Sequence, residues 1–112
     1  MKLHQYDDAL ASHMRALNVA KMIFLDGNFT ITECLTNIGT VYREMKDYLK
    51  AFEYFENALK NEKENPTRGN LLRLALTYDQ MGICLCYQDA IQNGFEYRMK
   101  AVRLLGKIYA RI

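Results

Sequence analysis

Apolar and polar positions follow one another along this chain with a helical period. Between Tyr48 and Leu59 the residues Tyr48, Ala51, Phe52, Phe55, Ala58 and Leu59 fall at i, i+3, i+4, i+7, i+10 and i+11, one face of an α-helix. The same order of side-chain bulk (large, small, large, variable, small, large) occurs 42 positions earlier at Tyr6, Ala9, Leu10, His13, Ala16 and Leu17. It occurs again 43 positions later at Ile91, Gly94, Phe95, Arg98, Ala101 and Val102. A second column set, Leu35, Ile38, Gly39 and Tyr42, is matched 43 positions on by Tyr78, Met81, Gly82 and Leu85. Gly39 precedes Ala51 by 12 residues, and Gly82 precedes Gly94 by 12, so the link inside each helix pair has a fixed length. The pattern predicts five helices, at about 4–25, 31–45, 48–63, 70–87 and 90–111.

The small residues need a reason, because a glycine inside a lone helix costs about 1 kcal/mol relative to alanine. Close approach of two helix backbones supplies one. Gly39 is expected where the first helix of a unit crosses the second, near Ala51, and Ala58 is expected to make room for the next unit's first helix. Boundary signals agree with this register. Thr30-Ile31-Thr32-Glu33 reads as a capping box and Asp47 as an N-cap. Asp26-Gly27-Asn28 marks a break, and "ENPTRGN" at 64–70 marks the equivalent break, with Gly27 aligned to Gly69 and Asn28 to Asn70.

Composition narrows the class. Half of the 112 residues are hydrophobic and 25% are charged, which is a globular and not a disordered balance. The net charge of +2 gives no mandate for nucleic acid. The apolar runs "MIFL" and "ICLCY" are too short to span a bilayer, and "MKLHQYDD" is no secretion signal. Cys84 and Cys86 are two apart and face different ways on a helix, so reduced, packed cysteines of an intracellular chain are the expectation. The "NFT" sequon at Asn28 has no bearing on a cytoplasmic chain.

The columns Leu35, Ile38, Gly39, Tyr42, Ala51, Phe55 and Ala58 resemble a tetratricopeptide repeat. Its common unit is 34 residues; the longer spacing here is similar to the extended repeats of kinesin light chains. The resemblance covers essentially the whole chain. It is strongest in the middle unit and weaker outside it, where His13 and Arg98 replace the aromatic Phe55 and Gly94 replaces an alanine. It implies an all-α fold, a right-handed α-solenoid of antiparallel helix pairs. Residues 1–29 would hold the second helix of a truncated repeat, 30–69 a full repeat and 70–112 another. Met1 then falls just before a second helix, and a piece of a longer array is expected.

The resemblance also implies a function: a scaffold that binds a peptide or partner protein on the concave face formed by first helices. Carried over residue by residue, its contact positions are Glu33, Thr36, Asn37, Thr40, Arg43 and Glu44 in the middle unit. In the last unit they are Leu76, Asp79, Gln80, Ile83, Cys86 and Tyr87. "LTNIG" resembles the asparagine-bearing motif of kinesin light chains, in which the amide holds an extended backbone. Asn37 offers both donors and acceptor, and Gln80 repeats it one unit on. The cations that would clamp a terminal carboxylate are replaced by Thr36, Thr40, Leu76 and Gln80. Gly39, Tyr42, Ala51, Phe55, Ala58, Gly82 and Gly94 are assigned to packing.

No catalytic constellation is visible. His4 and His13 are separated by more than two turns, with no cysteine or carboxylate at ligand spacing. The glycines are scattered and form no phosphate loop. No enzyme, metal or cofactor is expected. Lys100, Arg103, Lys107 and Arg111 share one face of the last helix, opposite Ala101, Val102, Leu105 and Ile108; a solvated face or a contact for an acidic partner, RNA or membrane are the readings. Two alternatives to peptide capture stand beside it: homotypic stacking through uncovered terminal helices, and a basic helical surface for nucleic acid.

Overall fold

Five helices succeed one another among the residues that the computed structural model describes, 3–64 and 71–110. They are α1 (Leu3–Ile23), α2 (Phe29–Glu44), α3 (Tyr48–Glu64), α4 (Leu71–Tyr87) and α5 (Ile91–Tyr109). Each expected helix is present. The break expected at 64–70, with Pro66, Gly69 and Asn70, falls largely outside the described residues, as does Arg111. Each helix packs chiefly on its neighbours in sequence, giving consecutive antiparallel pairs. The stack measures 41 × 35 × 21 Å. Its radius of gyration, 14.5 Å, exceeds the about 13 Å of a compact domain near this length.

The turns inside the two full pairs are copies of each other. In the first, Lys46 has φ 67°, the Lys46 N–H donates to the Arg43 carbonyl and the Asp47 N–H to the Tyr42 carbonyl. In the second, Asp89 has φ 63°, the Asp89 N–H donates to Cys86 and the Ala90 N–H to Leu85. Both are Schellman motifs with a left-handed residue after the helix. Lys46 and Asp89 are 43 positions apart, the period of the side-chain columns. Asp47 then caps α3 as expected, its carboxylate accepting from the Lys50 N–H at 3.3 Å.

The start of α2 differs from expectation. Asn28 is the cap, not Thr30: Asn28 Oδ1 accepts from the Thr30 N–H at 2.8 Å, and the helix begins at Phe29. Gly27, at φ 88°, reverses the chain just before it. Thr32 serves elsewhere. Its hydroxyl oxygen accepts from Asn61 Nδ2 at 2.7 Å, the same nitrogen donates to the Asn28 carbonyl at 3.0 Å, and Asn61 Oδ1 accepts from the Gly27 N–H at 2.8 Å. One buried amide of α3 thereby fastens the turn between α1 and α2.

The glycines lie at helix crossings. A Cβ placed on Gly82 would stand 2.7 Å from the carbonyl oxygen of Gly94, and one on Gly94 would stand 2.7 Å from that of Gly82. At Gly39 the neighbour is the ring of Phe55, 2.9 Å from such a Cβ, not Ala51 as the sequence suggests. The ring is one helical turn beyond Ala51 and fills the space over the glycine. Arg98, in the same column as Phe55, lays its aliphatic stem over Gly82 in the same manner. Ala51 and Phe55 are fully buried with Leu59, Met81 and Cys84. Ala58 belongs to the other cluster, with Leu17 and Ala20 of α1 and Ile31, Leu35 and Ile38 of α2. Val102 is exposed, so it does not join Ala101 on the buried side of α5.

Candidate functional site

Between the first helices of the two full pairs, α2 and α4, runs a groove of about 320 Å³ lined by Thr36, Leu72, Arg73, Leu76, Thr77 and Gln80. Positions 73, 76, 77 and 80 fall on one face of α4 by helical spacing. Leu72 and Leu76 are more than half exposed, which leaves apolar surface for a ligand. On α2, Thr36 donates its hydroxyl hydrogen to the Thr32 carbonyl and Thr40 donates to the Thr36 carbonyl. Each threonine therefore offers a ligand lone pairs and a methyl group, not a donor.

Arg73 anchors one end of the groove. Its Nη1 donates to Glu62 Oε1 of α3 at 3.1 Å, and its guanidinium lies 3.8 Å from the centroid of the Phe29 ring of α2. The ion pair is mostly withdrawn from solvent and the ring covers one guanidinium face, so three helices fix the side chain. The guanidinium carries five donors, more than the single bond to Glu62 uses. At the wall of the groove, the amide oxygen of Gln80 is buried and receives no hydrogen bond. The Nε of Arg43 is likewise buried without an acceptor. An unsatisfied buried polar atom costs about 1–3 kcal/mol, and a ligand that completes it recovers that energy.

The candidate contact residues do not all meet in one place. Thr36, Leu76 and Gln80 meet in the groove. Asn37, Thr40, Arg43 and Ile83 are half-buried on the same two helices, whereas Glu33 and Glu44 are exposed. Asn37 has no side-chain hydrogen bond among the described residues. Asp79 and Cys86 turn toward α5. The Asp79 carboxylate accepts from Arg98 Nε at 3.0 Å, and Cys86 Sγ would stand 2.7 Å from a Cβ on Gly94. Tyr87 is exposed, but its ring stacks on Tyr48 of α3 at 4.6 Å between centroids and 5° between planes. Leu72, Arg73 and Thr77 were not found by carrying over contact positions; the signal available was the helical spacing of Arg73, Thr77 and Gln80.

Cys34, Cys84 and Cys86 are free thiols. Burial pushes the Cys84 thiol up to about 11, although the Arg43 charge acts in the opposite direction. Burial and the nearby Glu33 carboxylate also raise Cys34. Such thiols stay protonated and packed, and they suit neither nucleophilic nor ligand chemistry. Among the described residues no cluster of three histidine, cysteine or acidic side chains is placed to hold a metal ion. No described helix is long and apolar enough to cross a membrane.

Glycine crossings, paired turns of one geometry and a groove between alternate helices define a helical-repeat protein. The tetratricopeptide repeat family matches residues 1–64, more than half of the chain, and the chain belongs to that family. No curated protein matches it significantly. Members of the family generally serve as protein–protein interaction modules.

Proposed function

We propose that the chain is a scaffold module that holds an extended peptide segment of a partner protein in the α2–α4 groove, with no catalysis of its own. The observation that supports this most is the Gln80 amide oxygen, buried at the groove wall without a donor, beside exposed Leu72 and Leu76. With the Gln80 side chain turned into the groove a peptide backbone N–H satisfies that oxygen, and the peptide's apolar side chains cover the two leucines. Asn37 stands 43 positions before Gln80 and carries the same amide chemistry, one repeat away along the peptide. The extended repeat, similar to that of kinesin light chains, lengthens the groove, and the three free thiols suit a reducing cytoplasmic setting.

The test is titration of a validated partner into the wild type and into Gln80→Ala, Asn37→Ala and Leu76→Glu. Each is expected to weaken binding about tenfold, roughly 1.4 kcal/mol, with the helical circular dichroism unchanged. Equal affinity in folded variants removes these residues from the site. One observation favours a second reading, self-association. Ile91, Phe95 and Val102 are exposed on α5 in the columns that Tyr48, Phe52 and Leu59 use inside the stack. Light scattering separates the two: a mass that rises with concentration supports stacking of copies, and a constant monomer mass removes it.

A further inference from the structure

The exposed side of α5 away from the apolar column carries Lys100, Arg103 and Lys107, at helical spacing. Among the described residues Arg103 and Lys107 have no ion pair, and no acidic residue follows Glu96. Lys100 faces aromatic rings instead of a carboxylate: its Nζ lies 5.5 Å from the Tyr78 centroid and 5.0 Å from that of Tyr97. These cations border two shallow clefts. One, of about 340 Å³ and formed by α5 alone, adds Gln92, Phe95, Met99 and the acidic Glu96 to Lys100 and Arg103. The other, of about 250 Å³, sets Leu74, Tyr78 and Leu104 against Lys100, Arg103 and Lys107. Lys100 and Arg103 form the ridge between the two.

We propose that this ridge and the second cleft are a further docking surface, for an acidic peptide segment of a partner with aliphatic side chains among its carboxylates. Around the second cleft the charge is without an ion pair and of one sign, so an acidic ligand gains attraction without displacing an existing partner. Beside its three cations the second cleft offers Leu74 and Leu104, which fit aliphatic groups. A nucleic-acid surface needs open aromatic faces on which bases stack; Tyr78, the aromatic of the second cleft, is already engaged by Lys100 and lies 6.0 Å from the Tyr97 ring. A lipid surface is too flat to enter the second cleft, which lies between α4 and α5. None of these residues lines the α2–α4 groove, so the two surfaces stand or fall separately.

The probe is a labelled synthetic peptide of Glu and Asp with Leu at every fourth position, titrated into the full chain and followed by fluorescence anisotropy. Saturable binding is expected, weakened about tenfold in Arg103→Glu/Lys107→Glu and unchanged in Leu76→Glu. Where charge reversal disturbs the circular dichroism, Arg103→Gln/Lys107→Gln is used, with a smaller loss in the same direction. Equal affinity in the charge variants overturns the proposal, as does equal binding of a peptide with Lys in place of the acids. Loss of binding in Leu76→Glu moves the ligand to the other groove and overturns it too. Tighter binding of a single-stranded RNA, or of vesicles containing phosphatidylserine, than of the acidic peptide replaces it with that class of partner.

Discussion

Two substitutions with identical chemistry, Gly82→Ala and Gly106→Ala, should move stability in opposite directions. Each adds one methyl group to a helix interior, worth about 1 kcal/mol in propensity. At Gly106 a Cβ meets nothing within 4 Å, so the whole gain is realised. At Gly82 the new Cβ falls 2.7 Å from the Gly94 carbonyl oxygen and 3.2 Å from the Arg98 nitrogen. The Arg98 stem, which also meets it, can rotate away; backbone atoms of α5 cannot, and relief requires the two helices to separate. Overpacking of that kind costs about 1–3 kcal/mol, and a backbone obstacle puts it near the upper end. The net expectation is a loss of about 2 kcal/mol for Gly82→Ala against a gain of about 1 kcal/mol for Gly106→Ala. Urea unfolding followed by circular dichroism measures both, with the slope m held as a check on the unfolded state. Gly39→Ala should be milder than Gly82→Ala, because its obstacle is the Phe55 ring, 2.9 Å away, and not backbone. If Gly82→Ala unfolds at the same urea concentration as Gly106→Ala, the α4–α5 crossing is not built on its glycines.

Other expectations follow from single sites. Asn61→Ala strips partners from the Gly27 N–H, the Thr32 hydroxyl and the Asn28 carbonyl, and should cost about 3 kcal/mol in the same denaturation assay. Lys46→Gly relieves a left-handed lysine at a cost in unfolded-state entropy; a net gain of about 0.5–1 kcal/mol is expected from thermal unfolding. The Cys84 thiol has an ordinary value of 9.0 and is raised by burial to about 11, so the folded state holds its proton more tightly than the unfolded one. That contribution is complete below pH 9 and is lost as pH rises toward 11, so stability measured between those values should fall, and Cys84→Ala should flatten the decline.

The repeat was legible because bulk alternates at fixed spacing: the glycine at 39 and 82 has one physical use, and the structure puts both at crossings. The neighbour of Gly82 was legible too, because Gly94 stands twelve positions on, but that of Gly39 was not. Side-chain columns register which positions face a partner helix, yet they do not say how far along it the contact falls, so Phe55 and not Ala51 covers Gly39. The cap of α2 was displaced for a related reason. Thr30 and Asn28 are both good caps by composition, and the choice was made by Asn61, more than thirty positions away, which recruits Thr32 and the Asn28 carbonyl. In the groove, Thr36, Leu76 and Gln80 were accessible from the resemblance. Helical spacing places Arg73 on the face of Thr77 and Gln80, but its anchoring depends on Glu62 and Phe29, contacts across three helices that no local pattern encodes.

The nearest-neighbour packing of the five helices governs how the chain comes apart. Among the described residues no extensive contact joins the first rod to the last, so loss of α1 leaves the α4–α5 hairpin with its partners intact. Pulling on one terminus should therefore peel the rods off in succession, like coins from the end of a roll. A ligand lying across α2 and α4 would clip the middle of that roll and convert a graded unravelling into a single cooperative break.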